Sequence, residues 1–294
     1  MGSLDGRVAL ITGAGHGLGR EHALLFAREG AQVVVNDLSV NLDGSPLEAS
    51  AAERVVEEIR AAGGEAVASH GDVGDFESAR AMVAQAIAEY GRLDVLVNNA
   101  GFVRDSFLHK MTEQQFDDVI RVHIKGHFNT MRHATDHWRD RFKAGEQVEG
   151  AVVNTSSGSG TTHPNPGQVN YGAAKAAILA MTLVAAEELG RLGVRANAIA
   201  PVARTRATLA TPGRIGEMVK APDDPQALDI YHPRHVSALV AYLSSAACPV
   251  TGKAYAVHGG AISELSGWTP SETYHSDEGW TSERVADALG VAVA

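Results

Sequence analysis

The chain predicts a single α/β domain built on a doubly wound parallel sheet of seven strands with helices on both faces, and three observations carry that reading. Apolar β-branched runs alternate with amphipathic helical stretches from residue 8 to about residue 259, the pattern of a parallel sheet crossed by helices. The 294 residues suffice to bury a large core, and the apolar segments are spread evenly rather than divided by a linker. A glycine cluster stands at the first strand-to-helix junction, where such a sheet needs a tight turn.

The first strand is read over residues 8–11, and Thr12-Gly13-Ala14-Gly15-His16-Gly17-Leu18-Gly19 leads from it into a helical run over 18–28. Glycines at 13, 17 and 19, with His16 and Leu18 among them, let bare backbone approach a pyrophosphate and the new helix pack closely on its sheet. The helix N-terminus then offers N–H groups and positive dipole to the phosphates. The second strand, 32–36, ends on Asp37. Strand, glycine loop, helix, second strand and terminal acid in this order predict a Rossmann-like dinucleotide site. A carboxylate there accepts hydrogen bonds from both ribose hydroxyls and repels a 2′-phosphate, which favours NAD over NADP; the bland alternative is a turn or cap residue. Neither position 36 nor 38 is Lys or Arg.

Residues 38–50 form a polar loop containing Gly44 and Pro46, either folded over the adenosine end or mobile. Further strands are read over 66–69, 93–98, 151–155, 194–199 and 254–257. Thr112 to Gln115 reads as a capping box opening a helix. Residues 203–225, rich in Thr, Arg, Pro and Ala, follow the sixth strand, as a substrate lid or a disordered surface loop would. Residues 1–260 are thus assigned to the dinucleotide-binding catalytic domain. The extension 261–294, with Trp268, Tyr274 and Trp280, is expected to pack on that domain, a neighbouring subunit or the site's mouth.

Composition narrows the partners. Hydrophobic residues make up 45% and charged residues 20%, a globular balance, and the net charge of -10 with pI near 5.7 argues against a nucleic acid or an anionic membrane as main partner. The single cysteine, Cys248, excludes an intramolecular disulfide and reads as a small buried hydrophobe in a reducing compartment. No apolar signal region is read at residues 1–7 and no stretch approaching a membrane span elsewhere, so the expected location is cytoplasmic. His133 and His137 are spaced like a metal pair but lack a third ligand, so they are read as a solvated face and no metal is expected.

Tyr171 and Lys175 stand four apart at the start of a helical run, hence on one side of it. A tyrosine has a pKa near 10, and a neighbouring ammonium favours its phenolate; bringing it about three units toward neutrality takes on the order of 4 kcal/mol, which one ammonium plus the positive nicotinamide is expected to supply in a low-dielectric pocket. The fifth strand ends in Ser156-Ser157 and a Gly, Thr and Pro loop leads to Tyr171, so a serine hydroxyl can hold the substrate oxygen while the phenol acts as general acid or base.

These residues together resemble the short-chain dehydrogenase/reductase family from residue 7 to about 260. The resemblance rests on Thr12-Gly-x-x-x-Gly17-x-Gly19, Asp72-Val73, Asn98-Asn99-Ala100-Gly101, Ser157, Tyr171-x-x-x-Lys175 and the run from Asn197 to Pro201. It implies that Asp72 and Val73 contact adenine, that Asn99, Ala100 and Gly101 lie at the cofactor, and that Ser157 binds the substrate oxygen. Tyr171 exchanges the proton, and Lys175 holds the nicotinamide ribose. Three departures stand out. His123 occupies the position where most members carry an asparagine supporting a relay water, and reads either as a relay group or as a residue filling a polar niche. The usual Pro-Gly is Pro201-Val202, although Thr205 still fits a carboxamide contact. Ser157 stands one residue further from Tyr171 than is usual, leaving Ser156 and Ser159 as alternatives.

Arg121 to Gly126, Asn36-Asp37-Leu38 with its long loop, and Asn99-Ala-Gly-x-x-Arg104-Asp105 are similar to the (3R)-hydroxyacyl-CoA dehydrogenase unit of peroxisomal multifunctional β-oxidation enzymes and its bacterial acyl-CoA or steroid relatives. Arg104 meets substrate or pairs with a surface carboxylate. The resemblance implies a NAD-dependent oxidoreductase of a secondary alcohol, with a 3-hydroxyacyl-CoA or hydroxysteroid-type substrate, assembled as a homotetramer or homodimer. The alternatives are a 3-ketoacyl thioester reductase and a non-catalytic dinucleotide binder.

Overall fold

The computed structural model describes residues 2–41, 45, 49–210, 214–224, 226–267 and 269–290. Of the features expected from sequence, Gly44, Pro46, Pro225 and Trp268 lie outside the described residues. Strands β1 (Val8–Thr12), β2 (Gln32–Asn36), β3 (Glu65–Ser69), β4 (Val95–Asn98), β5 (Gly150–Thr155), β6 (Val194–Pro201) and β7 (Ala254–His258) pair in parallel in the order β3-β2-β1-β4-β5-β6-β7. The reversal of strand order beside β1 opens a crevice at the carboxyl ends of β1 and β4.

The sheet has eight strands, not the expected seven. β8 (Ala261–Glu264) turns back through Gly259-Gly260 and pairs antiparallel with β7, His258 facing Ala261. All four of its residues are exposed, so no apolar run marks it. The two-glycine hairpin turn was the signal to read.

Helices cover both faces. On one side α1 (Gly17–Arg28), α2 (Ala51–Ala61) and α9 (Arg234–Ser244) bury Phe26, Ile59 and Leu243 against Ile11, Val33 and Val35. On the other, α3 (Phe76–Tyr90), α5 (Gly126–Lys143) and α6 (Val169–Gly190) bury Met82, Trp138 and Leu189 against Leu10, Leu96 and Val152. Cys248 is buried with the first group. The capping box is present: Thr112 Oγ1 accepts from Gln115 N and Gln115 Oε1 from Thr112 N, opening α4 (Glu113–Ile120).

Two expectations need correction here. His133 is buried, its Nε2 3.0 Å from the Phe76 carbonyl oxygen, and His137 Nε2 accepts from Leu93 N at 3.2 Å, so both rings tie α5 to its neighbours rather than forming a solvated face. No metal-holding cluster of His, Cys, Asp or Glu occurs among the described residues. By length and composition α6 is apolar enough to cross a membrane. Its Asn170, Lys175 and Thr182 are buried within the domain, while Leu183 and Val184 are 48% and 56% exposed.

In the region beyond β8, Tyr274 and Trp280 are 40% and 50% exposed, and α10 (Ser282–Ala288) contains no buried residue. Lys253 on the β7 side pairs with Glu264 at 2.6 Å.

A polar seam runs through the middle of the second layer. Asn98 Nδ2 donates to Asn154 Oδ1 at 3.0 Å, Asn154 Nδ2 donates to Thr182 Oγ1 at 3.0 Å, and Thr130 Oγ1 donates to Asn98 Oδ1 at 2.7 Å. These four fully buried side chains link β4, β5, α5 and α6, and each satisfies another's hydrogen-bonding needs. Asn154→Leu leaves the buried Asn98 Nδ2 unpaired and removes the hydrogen bond that Thr182 Oγ1 accepts, leaving it only its bond to the Ile178 carbonyl. It is expected to cost about 2–4 kcal/mol, read as a lower urea midpoint at unchanged slope.

Candidate active site

The carboxyl ends of β1 and β4 are locked together. Thr12 Oγ1 accepts from the backbone N–H groups of Asn99 at 3.0 Å and Ala100 at 3.1 Å, while Asn99 Nδ2 donates to the carbonyls of Thr12 at 3.0 Å and Gly13 at 3.1 Å. The approach is so close that a Cβ on Gly13, at φ +63°, would lie 2.7 Å from Ala100 Cα, and one on Gly19 would lie 2.3 Å from the Gly13 carbonyl oxygen. Leu18, in the first turn of α1, packs on the core, and His16 precedes that helix without capping it. The first turn of α1 carries no acid. Its N–H groups and dipole are therefore available to an anion. His16 Nε2 lies 3.3 Å from Arg54 Nη2; burial, then the charge of Arg206, pushes the His16 pKa down.

Asp37 turns toward this loop, Oδ2 accepting from Gly15 N at 2.9 Å and Oδ1 from Ser39 N at 2.7 Å. Past β3, Asp72 Oδ1 accepts from Gly74 N at 2.8 Å and Oδ2 pairs with Arg121 at 2.7 Å. Val73 is buried, and its carbonyl accepts from Asn129 Nδ2 at 2.8 Å. Pro201 closes β6, and Thr205 follows just before α7 (Arg206–Ala210). These positions all follow carboxyl ends of strands. They bring a glycine-lined cradle, a carboxylate and an apolar wall to one edge of the sheet.

Three serines stood as candidates beside Tyr171, and their hydrogen bonds separate them. Ser156 Oγ is buried and donates to the Lys175 carbonyl at 2.7 Å. Ser159 Oγ donates to Gln168 Oε1 and accepts from Asn165 Nδ2, both at 2.8 Å. The hydroxyl hydrogen-bonded to the Tyr171 phenol is that of Ser157, which is also held by Ser159 N at 3.2 Å. Lys175 is buried; Nζ donates to the Thr155 carbonyl at 2.6 Å and lies 5.4 Å from the centre of the Tyr171 ring.

The electrostatics differ from the sequence expectation. Burial pushes the Tyr171 phenol above its ordinary value, the Ser157 hydrogen bond working against that rise and Asp105 adding to it. Lys175 does not enter the balance as the expected depressing charge. Burial brings its own pKa down to about 7, so near neutrality the ammonium is only partly populated. In the chain without cofactor, burial thus outweighs the groups that favour the phenolate, whereas the sequence expectation counts the positive nicotinamide together with the ammonium.

Between α4 and α5 the helix widens into one π turn, Arg121–Lys125, where the Gly126 N–H reaches back to the Arg121 carbonyl. That turn carries His123 inward. The ring is buried, meets the Tyr171 ring edge-on at 5.3 Å, and fits because residue 101 is glycine, where a Cβ would lie 2.2 Å from His123 Cε1. His123 Nε2 lies 2.8 Å from the Phe102 carbonyl oxygen and 3.2 Å from the Phe102 backbone nitrogen, while Nδ1 has no partner among the described residues. Burial, then the Lys175 charge, holds His123 well below the usual histidine range.

His127, one turn later, was missed by the sequence reading, although its spacing of four from His123 was visible. It too is buried, with Nε2 unpartnered among the described residues, and its pKa falls to about 3 from burial and the Lys175 charge. The carbonyls of His123 and Asn98, hydrogen-bonded to it, act in the opposite direction. Arg104, left between two roles, places its guanidinium 4.5 Å over the Phe102 ring, and its carbonyl accepts from Asn170 Nδ2 at 3.0 Å.

The chain matches the short chain dehydrogenase family over residues 7–211. It is 44% identical over 270 residues to the hydroxyacyl-CoA dehydrogenase ChsB1 of Mycobacterium tuberculosis, covering 90% of this chain and 80% of that protein. It is 40% identical over 261 residues to the peroxisomal multifunctional enzyme type 2 of Mus musculus, covering 89% of this chain and only 33% of that larger enzyme. A short chain dehydrogenase from Mycobacterium avium superposes with a TM-score of 0.86 at 49% identity, covering 100% of this chain and 98% of that one.

The buried neutral histidines carry a pH signature. His22, in α1 and 2.7 Å from Ser237 Oγ, also titrates near 3, as His127 does, against an ordinary value of 6.5. Their folded-state pKa lies below the unfolded value, so on acidification the unfolded chain takes up protons first, and stability present above about pH 6.5 is lost toward pH 3. Each is expected to lower unfolding free energy by about 2 kcal/mol between pH 7 and pH 5, a slope that His22→Gln reduces in urea titrations.

Proposed function

Because the chain belongs to the short chain dehydrogenase family, oxidoreductases acting on CH–OH groups with a nicotinamide dinucleotide, we propose that it interconverts a secondary alcohol and a ketone using NAD(H). The observation that carries this reading is the Tyr171 phenol held by Ser157, with Lys175 buried beside it, at the carboxyl edge of the sheet. The backbone cradle at Gly13 to Gly19 fits the pyrophosphate, and the uncapped α1 N-terminus faces it. Asp37 receives the ribose hydroxyls and disfavours a 2′-phosphate. Asp72 and Val73 border adenine, Asn99, Ala100 and Gly101 line the floor, and Pro201 and Thr205 meet the carboxamide end.

When bound, the nicotinamide supplies hydride exchange at the carbinol carbon. The protein's own groups manage the proton. Ser157 Oγ orients the substrate oxygen, and Tyr171 Oη exchanges the hydroxyl proton with it. Lys175 anchors the ribose, and its protonated fraction favours the phenolate. His123, whose Nδ1 has no partner among the described residues, offers that nitrogen to a water or substrate group beside Tyr171.

A 3-hydroxyacyl-CoA substrate is supported by the name of the M. tuberculosis relative, and a bulky hydrophobic group on it, acyl or hydroxysteroid-type, suits the exposed Phe107 and Leu108. The Ser106 N–H to Gly167 carbonyl bond, 2.9 Å, ties that loop to the approach to α6. The exposed Leu183 and Val184 on α6 support a homodimer or homotetramer, and the exposed Tyr274 and Trp280 support packing of the segment beyond β8 on a neighbour.

Tyr171→Phe is expected to abolish turnover of 3-hydroxyacyl-CoA or hydroxysteroid substrates while NADH binding, followed by fluorescence, stays unchanged. Ser157→Ala should lower kcat by roughly 10²–10⁴. Ser156→Ala should chiefly lower the melting temperature. Steady-state kinetics with both dinucleotides test the cofactor assignment: NADH is expected to surpass NADPH in kcat/KM, and Asp37→Ala should narrow the gap.

A further inference from the structure

We propose that Arg204 and Asp229 form a positioning pair that sets dinucleotide affinity by holding Thr205 against the glycine loop, an inference that rests on the NAD(H) reading above. Arg204 lies immediately after β6, between the strand and Thr205. Its guanidinium grips Asp229 through both nitrogens, Nη1 to Oδ1 at 3.0 Å and Nη2 to Oδ2, while Nη1 also approaches the Val219 carbonyl at 3.5 Å. Its backbone N–H donates to the Tyr231 carbonyl at 2.7 Å. One residue thus gathers the end of β6, the stretch after α8 (Arg214–Met218) and the approach to α9 at a single point.

The pair is built to persist. Both side chains are more than four-fifths buried, at 19% and 17% exposure, and the two-pronged geometry suits a guanidinium and no other cation. Arg204 holds the Asp229 carboxyl below the usual carboxylate range. The Asp229 carbonyl is in turn 3.1 Å from His235 Nε2 on α9, so the acid is anchored in the helix layer under α1.

What this fixes is Thr205. Its hydroxyl and N–H close a local turn with Thr208 Oγ1, at 3.1 and 2.7 Å, and its methyl faces Gly17, where a Cβ would come within 3.3 Å of Thr205 Cγ2. Among the described residues no other side chain meets a Cβ built on Gly17. The β6 end and the glycine loop therefore meet at Thr205, across the place assigned to the dinucleotide. Without the ion pair, the backbone at 204 keeps only its bond to Tyr231, and Thr205 loses its fixed distance from Gly17.

The test compares Asp229→Asn with Asp229→Glu in the full chain, reading the NADH dissociation constant by fluorescence, the KM and kcat for NAD, and the apo melting temperature. Asp229→Asn is expected to weaken NADH binding and raise KM for NAD by about tenfold or more, with kcat at saturating dinucleotide within about twofold of the parent. Asp229→Glu, which keeps the charge, should recover most of the loss. Unchanged NADH affinity in Asp229→Asn, whether or not its melting temperature falls, overturns the proposal. So does a kcat loss at unchanged KM. A parent protein that binds no NADH overturns the NAD(H) reading instead.

Discussion

The close approach of β1 to β4 is the constraint on which the rest depends. Thr12 and Asn99 exchange hydrogen bonds in both directions, and glycines at 13 and 19 let the two backbones come together without a side chain between them. That contact sits where the strand order reverses, so it fixes both the floor of the crevice and the start of α1. From there the helix directions, the Asp37 side chain and the neighbouring ends of β5 and β6 follow from the sheet's twist and register. Loosening this contact would shift every group on that edge at once.

Most of the fold was legible in the sequence because parallel strands buried on both faces leave continuous apolar runs. β1, β2, β5 and β6 coincide with runs of Val, Ala and Ile to within a residue or two. β8 was not, because an exposed four-residue edge strand leaves no such trace. The seam of Asn98, Thr130, Asn154 and Thr182 was also hidden, since its members lie far apart in the chain and meet only through packing.

For the candidate site, residue types and spacing were readable and their electrostatic state was not. The four-residue step between Tyr171 and Lys175 set them on one side of α6, yet burial of both groups decides their protonation, and burial is a property of the assembled layers. The choice among Ser156, Ser157 and Ser159 likewise needed partners distant in sequence, the Lys175 carbonyl for one and Gln168 for another. The π turn at 121–125 left no mark, because its residues are ordinary helix formers and the widening answers to the room that Gly101 leaves for an imidazole.

That widened turn has a geometric consequence for the long helical segment in which it sits. One additional residue advances everything downstream by about 100° around the axis, so the stretches before and after it are out of phase with a single continuous α-helix. Upstream, Val119 is buried; downstream, Thr130, Ala134 and Trp138 meet the sheet on a stripe offset from the one that a straight spiral would trace. The segment is thereby one unbroken helix whose two stretches present their buried faces in different directions.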